Sequence, residues 1–227
     1  SADFRNSLTA MLERLDDVDA FTDTDPRARK VVDTVDALAH FQRSTGPRVE
    51  IETTGGMLRG FEANASTWQF LGVPYAKPPL GELRWRPPVA PEPWSGVRDA
   101  VEWADQSAQD RALESINEGG MSEDSLYLNI TAPKDAERLP VMVWFHGGGH
   151  SSGVGSAKIF DGTAMARKGV IMVTANYRLG PLGFLAHPAL TAESAHGSSG
   201  NYGILDHVAT LEWVHDNIAA FGGDPGN

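Results

Sequence analysis

Leu139-Pro140-Val141-Met142-Val143-Trp144-Phe145-His146-Gly147-Gly148-Gly149 is the stretch around which the rest of the chain organises itself. Its first half has the β-branched and bulky residues of a buried strand. Three consecutive glycines at its end release the backbone from Cβ sterics, so successive N–H groups can turn toward one point. Donors fixed in that way suit an oxyanion, a charge that exists only in a transition state. No serine lies in the strand–turn–helix context that marks a nucleophile elbow. The residues therefore describe a hole for an oxyanion without the nucleophile to go with it.

Rival readings of the same loop fail on spacing. Residues 146–153 contain no Gly-x-Gly-x-x-Gly opening a helix, and Lys158 lacks the adjacent Ser or Thr of a phosphate-binding loop. His146 and His150 are separated by glycines rather than placed at i, i+4 on a helix, which disfavours a metal pair. His146 is expected to hydrogen-bond to backbone and hold the loop. Ser151, Ser152, Ser198 and Ser199 read as turn residues, and His207 and His215 as solvent-facing or capping residues of a long helix.

A chain of 227 residues can bury one substantial core, with room for a small appendage. Its formal charge of −11 argues against nucleic acid or an anionic membrane as partner. No apolar run approaches the ~20 residues of a membrane span. With no cysteine, disulfides, thiolate nucleophiles and cysteine-ligated zinc are excluded. A reducing, cytoplasmic setting fits that absence and is slightly favoured, while secretion by a bacterium stays open. No leader is recognisable at Ser1, so a signal peptide either never existed or has been removed.

Along the chain, residues 1–45 form a segment of their own. Phe4, Leu8, Met11, Leu12 and Leu15 make one helical stripe, and Val31, Val32, Val35, Leu38 and Ala39 a second. Asp25-Pro26 starts the second helix and Gly46-Pro47 ends it, so a helical hairpin is expected. From Arg48 the period becomes two. Val49–Thr53 and Met57–Phe61 read as a hairpin turning at Gly55-Gly56. Val73–Trp94, rich in proline, reads as ordered loop, and residues 102–121 as polar loop. Ser125–Ile130 and Val170–Ala175 read as further strands. Ile204, Val208, Leu211, Val214, Ile218 and Phe221 form the apolar stripe of a long helix ended by Gly222-Gly223. Strands alternating with helices in this half imply an α/β sheet with crossovers.

Taken in order, these segments resemble the type-B carboxylesterases, which include cholinesterases and bacterial p-nitrobenzyl esterases. The matching stretches are Thr53–Gly60, Phe70–Ala76, Leu83-Arg84-Trp85, Pro93–Gly96 and Ser122–Asn129. They continue in Asn176–Phe184, Gly200–Gly203, Asp206 and Phe221–Pro225. The resemblance covers residues 48–227 and implies the N-terminal part of an α/β-hydrolase fold with a mixed, mostly parallel sheet. The hydrolase domain then occupies residues 46–227, and residues 1–45 are an extension outside the family core.

What the resemblance implies for the site is specific. Gly148 and Gly149 would supply two oxyanion N–H groups, Gly147 would shape the turn, and His150 and Ser151 would face the substrate. Arg84–Glu123 and Arg178–Asp206 would be structural ion pairs. The chemistry implied is that of a serine esterase, without cofactor or metal, acting on a small-molecule ester. Two departures accompany it. Ser125 stands where many relatives have a cysteine bridged to another near Ser107, so packing or hydrogen bonds must hold that loop. The family's nucleophile, acid and histidine lie beyond Asn227, which makes the C-terminal remainder of the same hydrolase the expected partner. A catalytically inactive, esterase-like adhesion or interaction module is the alternative.

Overall fold

Val49 and Ile51 alternate with exposed Glu50 and Glu52, and that period-two pattern forms the first strand of the computed structural model, which describes residues 43, 45–109 and 120–227. The chain divides between Ser44 and Thr45, and the sheet with its helices belongs to the unit Thr45–Asn227. The helical extension expected over residues 1–45 lies outside the described residues, Arg43 and Thr45 excepted.

Strands β1 (Arg48–Thr53) and β2 (Gly56–Asn64) pair antiparallel with Thr53 opposite Gly56, so the turn is Thr54-Gly55. Gly56, at φ 136°, opens β2 directly under Trp94, whose indole N–H donates to Met57 O at 2.9 Å. The chain then forms β3 (Thr67–Pro74), β4 (Val97–Asp99), the short β5 (Gln106–Ser107) and β6 (Met121–Ser122), β7 (Tyr127–Pro133), β8 (Val141–Phe145) and β9 (Ile171–Ala175). Four α-helices are bounded within the described residues, α1 (Thr163–Ala166), α2 (Gly180–Phe184), α3 (Pro188–Glu193) and α4 (Tyr202–Asn217), and a 3₁₀ turn, Ile218–Phe221, follows α4.

One mixed sheet runs β1-β2-β3-β7-β9-β8, with β4 beside β2. Among the described strands its pairings are mostly antiparallel, which corrects the mostly parallel sheet expected. Only β8–β9 and β2–β4 are parallel in it. The cause is connectivity: β1 and β2 are joined by a two-residue turn, which permits only antiparallel pairing, whereas β8 and β9 are joined by a crossover carrying α1. The polar loop expected over residues 102–121 also contains order, since β5 and β6 pair in parallel.

The core lies on the central strands. Phe70, Leu128, Ile130, Ile171 and Val173 are fully buried, and Trp213 of α4, with Ile218 and Phe221 of the turn after it, packs against them. Phe221 meets Phe70 edge to face at 4.9 Å. β9 is buried along its whole length, while β8 alternates, leaving Met142 and Trp144 exposed on one face. Residues 222–227 run alongside the start of β8. Leu139 N–H donates to Gly222 O and Val141 N–H to Asn227 O, both at 2.9 Å.

Only the second half of the apolar stripe expected along α4 faces inward: Val214, followed by Ile218 and Phe221, is buried in the core, while the first half is turned out. Asp206, Thr210, Trp213, Val214 and Asn217 are buried, whereas Ile204, Val208 and Leu211 are 39 to 48% exposed. Polar anchors decide the rotation: Asp206 binds Arg178, and Asn217 Oδ1 accepts from Thr54 N–H at 2.8 Å.

Candidate active site

The parallel pair β8–β9 delivers two loops to one end of the sheet, His146–Gly153 after β8 and Asn176–Leu179 after β9. Crossover loops at strand ends are where α/β folds place their ligands. Within the first loop, two consecutive peptides are fixed by what holds their carbonyls. His146 Nδ1 lies 3.0 Å from Gly147 O; a carbonyl only accepts, so the ring carries its proton on Nδ1. Gly148 O accepts from the N–H groups of Ser151 and Ser152, both at 3.2 Å, and from their hydroxyls at 3.0 and 3.3 Å.

No peptide among the described residues is cis. In a trans peptide the N–H points opposite to the C=O. The Gly147 and Gly148 carbonyls are both tied back into the protein, so the N–H groups of Gly148 and Gly149 are turned away from it. Gly147 to His150 are exposed. Gly148 (φ 126°) and Gly149 (φ 63°) occupy backbone regions that favour glycine. A Cβ on Gly148 would stand 1.9 Å from Ser152 O, whereas one on Gly149 would meet only Ser151 Oγ at 4.0 Å. The turn is thus closed at Gly148 and open at Gly149. An open depression of about 520 Å³ adjoins it, lined by Gly149, His150, Ser151, Pro181, Phe184 and neighbouring residues.

Aromatic rings pack behind the loop. Tyr177 stacks on His146 at 4.5 Å between centroids, and its hydroxyl donates to His146 O at 2.9 Å. His207, from α4, stacks on Phe145 at 4.1 Å and meets Tyr177 edge-on at 4.3 Å. His150 stacks almost parallel on Phe184 at 4.6 Å. Burial lowers the pKa of His146 to about 4, against the pull of its bond to Gly147 O and helped by nearby His207. His207 is also lowered, first by burial. Both rings are neutral at physiological pH, so the loop carries no fixed positive charge from them.

The second loop is held by charge. Arg178 Nε and Nη2 bind the two Asp206 oxygens at 2.9 and 2.7 Å, with both side chains buried. Arg84 forms a bidentate pair with Glu123 at 2.6 and 2.8 Å, partly exposed. Ser107 Oγ donates to Tyr177 O at 2.6 Å, so the 2.9 Å contact between Ser107 and Ser125 has Ser125 as donor. That chain of hydroxyls holds the segment that has no cysteine bridge.

The match to known proteins is direct. Residues 46–227 fit the model of the carboxylesterase family. This chain belongs to that family. Its curated relatives include a fumonisin B1 esterase of Sphingopyxis macrogoltabida, 51% identical over 182 residues, covering 79% of this chain and 33% of the relative. A para-nitrobenzyl esterase of Bacillus subtilis (strain 168) is 44% identical, covering 78% and 36%. Among solved structures, a carboxylesterase of Geobacillus stearothermophilus superposes with a TM-score of 0.71 at 46% identity, covering 79% of this chain and 36% of that one. These carboxylesterases have the α/β-hydrolase fold, and so does this chain. It spans about a third of the length of the curated relatives it matches.

Within this carboxylesterase chain, the structure brings Gly149, His150 and Ser151 to one depression beside Gly148, while Arg84, Glu123 and Arg178 line a separate cavity with Ser107 and Ser125. Gly147 has no positive φ and open space at its Cβ, so the turn is carried by Gly148 and Gly149 instead. His207, expected to face solvent or cap the helix, is packed among Phe145 and Tyr177 with Nε2 buried. By letters alone, Gly149-His150-Ser151-Ser152-Gly153 spells Gly-x-Ser-x-Gly, a match that sequence reasoning missed. It is not an elbow: no helix follows, and Ser151 Oγ donates to Gly148 O. Gln109 and Tyr177 also escaped sequence reasoning. Gln109 sits in a polar stretch without pattern, and only the fold shows what it touches. Among the described residues no group of three His, Asp or Glu side chains could hold a metal ion, and no helix is long and apolar enough to cross a membrane.

Proposed function

We propose that this chain is the N-terminal part of a serine carboxylic-ester hydrolase and contributes its oxyanion hole. Attack by a serine on an ester carbonyl puts negative charge on the carbonyl oxygen, and the N–H groups of Gly148 and Gly149 receive it. The observation that carries this reading is the pair of adjacent peptides whose carbonyls are tied back, leaving both N–H groups aimed outward beside an open depression. Because the donors are held before any substrate arrives, little reorganisation is needed when charge develops. His150 and Ser151 border the depression and face the ester. The names of the relatives, fumonisin B1 esterase and para-nitrobenzyl esterase, support an ester as substrate class.

The nucleophile, its acid and its histidine belong in this reading to a C-terminal remainder of the same hydrolase, and no residue of this chain takes a triad role. The exposed face of β8 and the apolar outer face of α4 support such a partner, since both present side chains of core type.

Gly149→Ala in the full-length enzyme tests the proposal. The added Cβ has room, so the folded state loses only the left-handed backbone penalty of ~1–2 kcal/mol. The N–H is nevertheless displaced and its open side filled. Turnover of p-nitrophenyl acetate should fall by about 10²- to 10³-fold, as for loss of one oxyanion donor, with the circular dichroism spectrum unchanged. Undiminished hydrolysis by a folded variant would remove the loop from the mechanism. A full-length parent without hydrolysis would favour the inactive interaction module.

A further inference from the structure

The loop that presents Gly148 and Gly149 is tied at its start by Tyr177, and its far end is tied by a residue from a distant segment. Gln109 Oε1 accepts from Gly153 N–H at 2.7 Å, and Gln109 Nε2 donates to Gly153 O at 2.8 Å. The same Nε2 lies 3.1 Å from Ser107 O and from Gln106 Oε1, so its two hydrogens are shared inward. The carboxamide thus grips both polar groups of a single glycine.

That grip reaches the candidate oxyanion donors through backbone alone. Gly153 stands at φ 119°, and a Cβ there would lie 2.2 Å from His146 Nδ1 and 2.4 Å from Gly147 O. Its Cα therefore rests directly on the bond that orients the Gly148 N–H. The peptide joining Ser152 to Gly153 donates its N–H to Gln109, so the Ser152 carbonyl points the other way. It abuts Gly148, where a Cβ would be 1.9 Å away. Both glycine peptides are accordingly wedged by a segment whose direction Gln109 sets. Ser107, two residues before Gln109, binds Tyr177 O, and Tyr177 binds His146 O, closing a ring of hydrogen bonds around the loop.

We propose that Gln109 is a positioning residue for the oxyanion hole, holding residues 147–149 in register through its two bonds to Gly153; this rests on the function proposed above. A carboxamide is the side chain that supplies one acceptor and one donor side by side at this length. Glutamate keeps the acceptor and loses the donor, and alanine loses both. Displacement of a site by a substitution away from the chemistry is worth about 10²-fold in rate.

The test is steady-state kinetics of the full-length enzyme carrying Gln109→Ala, Gln109→Glu or Gly149→Ala, with p-nitrophenyl acetate as substrate and a trifluoromethyl ketone as tetrahedral adduct-former. For Gln109→Ala, kcat should fall roughly 10- to 100-fold with KM little changed. Ketone affinity should fall in parallel and the thermal midpoint should barely move. Gln109→Glu should be as impaired as alanine at neutral pH. It should recover relative to the parent as pH falls, because a protonated carboxyl again pairs a donor with an acceptor. A Gln109→Ala enzyme with parental kcat and ketone affinity, or a Gln109→Glu enzyme whose pH profile follows the parent's, would overturn the inference. In either case Gly149→Ala still reports on the oxyanion hole itself. A parent that hydrolyses no ester, or tolerates Gly149→Ala, overturns the oxyanion hole and the inference with it.

Discussion

His146 is a base buried where its charged form has no partner. Nδ1–H is spent on Gly147 O, and Nε2 is buried without an acceptor or donor among the described residues. Protonation would place a new N–H in that position with His207 nearby, which is why its pKa falls from 6.5 to about 4. The sign for stability follows. Above pH 6.5 the ring is neutral folded and unfolded, and the full stability is present. Between 6.5 and about 4 the unfolded chain binds a proton that the folded chain refuses, so stability falls as pH falls. The loss attributable to His146 is on the order of 3 kcal/mol at about 1.4 kcal/mol per pKa unit. His146→Asn keeps a donor toward Gly147 O and does not titrate. Denaturant unfolding of the full-length protein across this pH range should show a shallower dependence for the variant, and identical slopes would show that His146 is not the group responsible. The hold of His146 on backbone was legible in the sequence, because a histidine beside three glycines has few other partners. The packing of His207 was not, since a helical stripe does not say which neighbouring turn it meets.

Arg178 and Asp206 join the end of β9 to α4, and the rotation of that helix depends on them. The hydrogen bonds that hold the pair are directional: Arg178 N–H and Nε both reach Asp206 Oδ2, Nη2 reaches Oδ1 and, at 3.5 Å, Tyr202 O, and Nη1 donates to Arg86 O at 2.8 Å. Arg178→Met should cost ~3–5 kcal/mol because it leaves a buried carboxylate unpaired. The double variant Arg178→Met/Asp206→Leu should recover a substantial part of that loss. Denaturant midpoints of the four proteins in this cycle measure the coupling, and additive losses would mean that the two residues act separately. The stop at Gly222 (φ 83°) was readable from the sequence, although α4 itself ends at Asn217 and a 3₁₀ turn, Ile218–Phe221, completes the run. The buried face of α4 was readable from Val214 onward but not over its first turns, because hydropathy cannot see that Asp206 and Thr210 are buried behind satisfied hydrogen bonds, Thr210 Oγ1 donating to Asp206 O at 2.9 Å. β3 was missed for a similar reason. Its ladder shifts register between Phe70 and Val73, where Gly72 N–H turns to Asn129 Oδ1, so strict alternation is broken.

At the scale of the molecule, the residues that matched the carboxylesterases were sufficient for the family and the fold, while the direction of strand pairing had to come from coordinates. The first strands return by short turns and pair antiparallel; the parallel pair β8–β9 is continued by residues 222–227 along β8. Met142 and Trp144 on β8, with Ile204, Leu205, Val208 and Leu211 on α4, are exposed apolar surface, which the proposed function assigns to contact with the remainder of the hydrolase. Under the proposed function, residues 1–227 are one part of a catalytic whole, with the oxyanion donors here and the nucleophile elsewhere. The decisive assay is p-nitrophenyl acetate hydrolysis by residues 1–227 alone and co-expressed with the C-terminal remainder of the same hydrolase, followed with circular dichroism. The expected result is no turnover from the chain alone, turnover when the remainder is present, and loss of that turnover in Gly149→Ala. Serine-dependent hydrolysis by residues 1–227 alone would contradict the proposed function, because a nucleophile would then have to be found among serines engaged in turns.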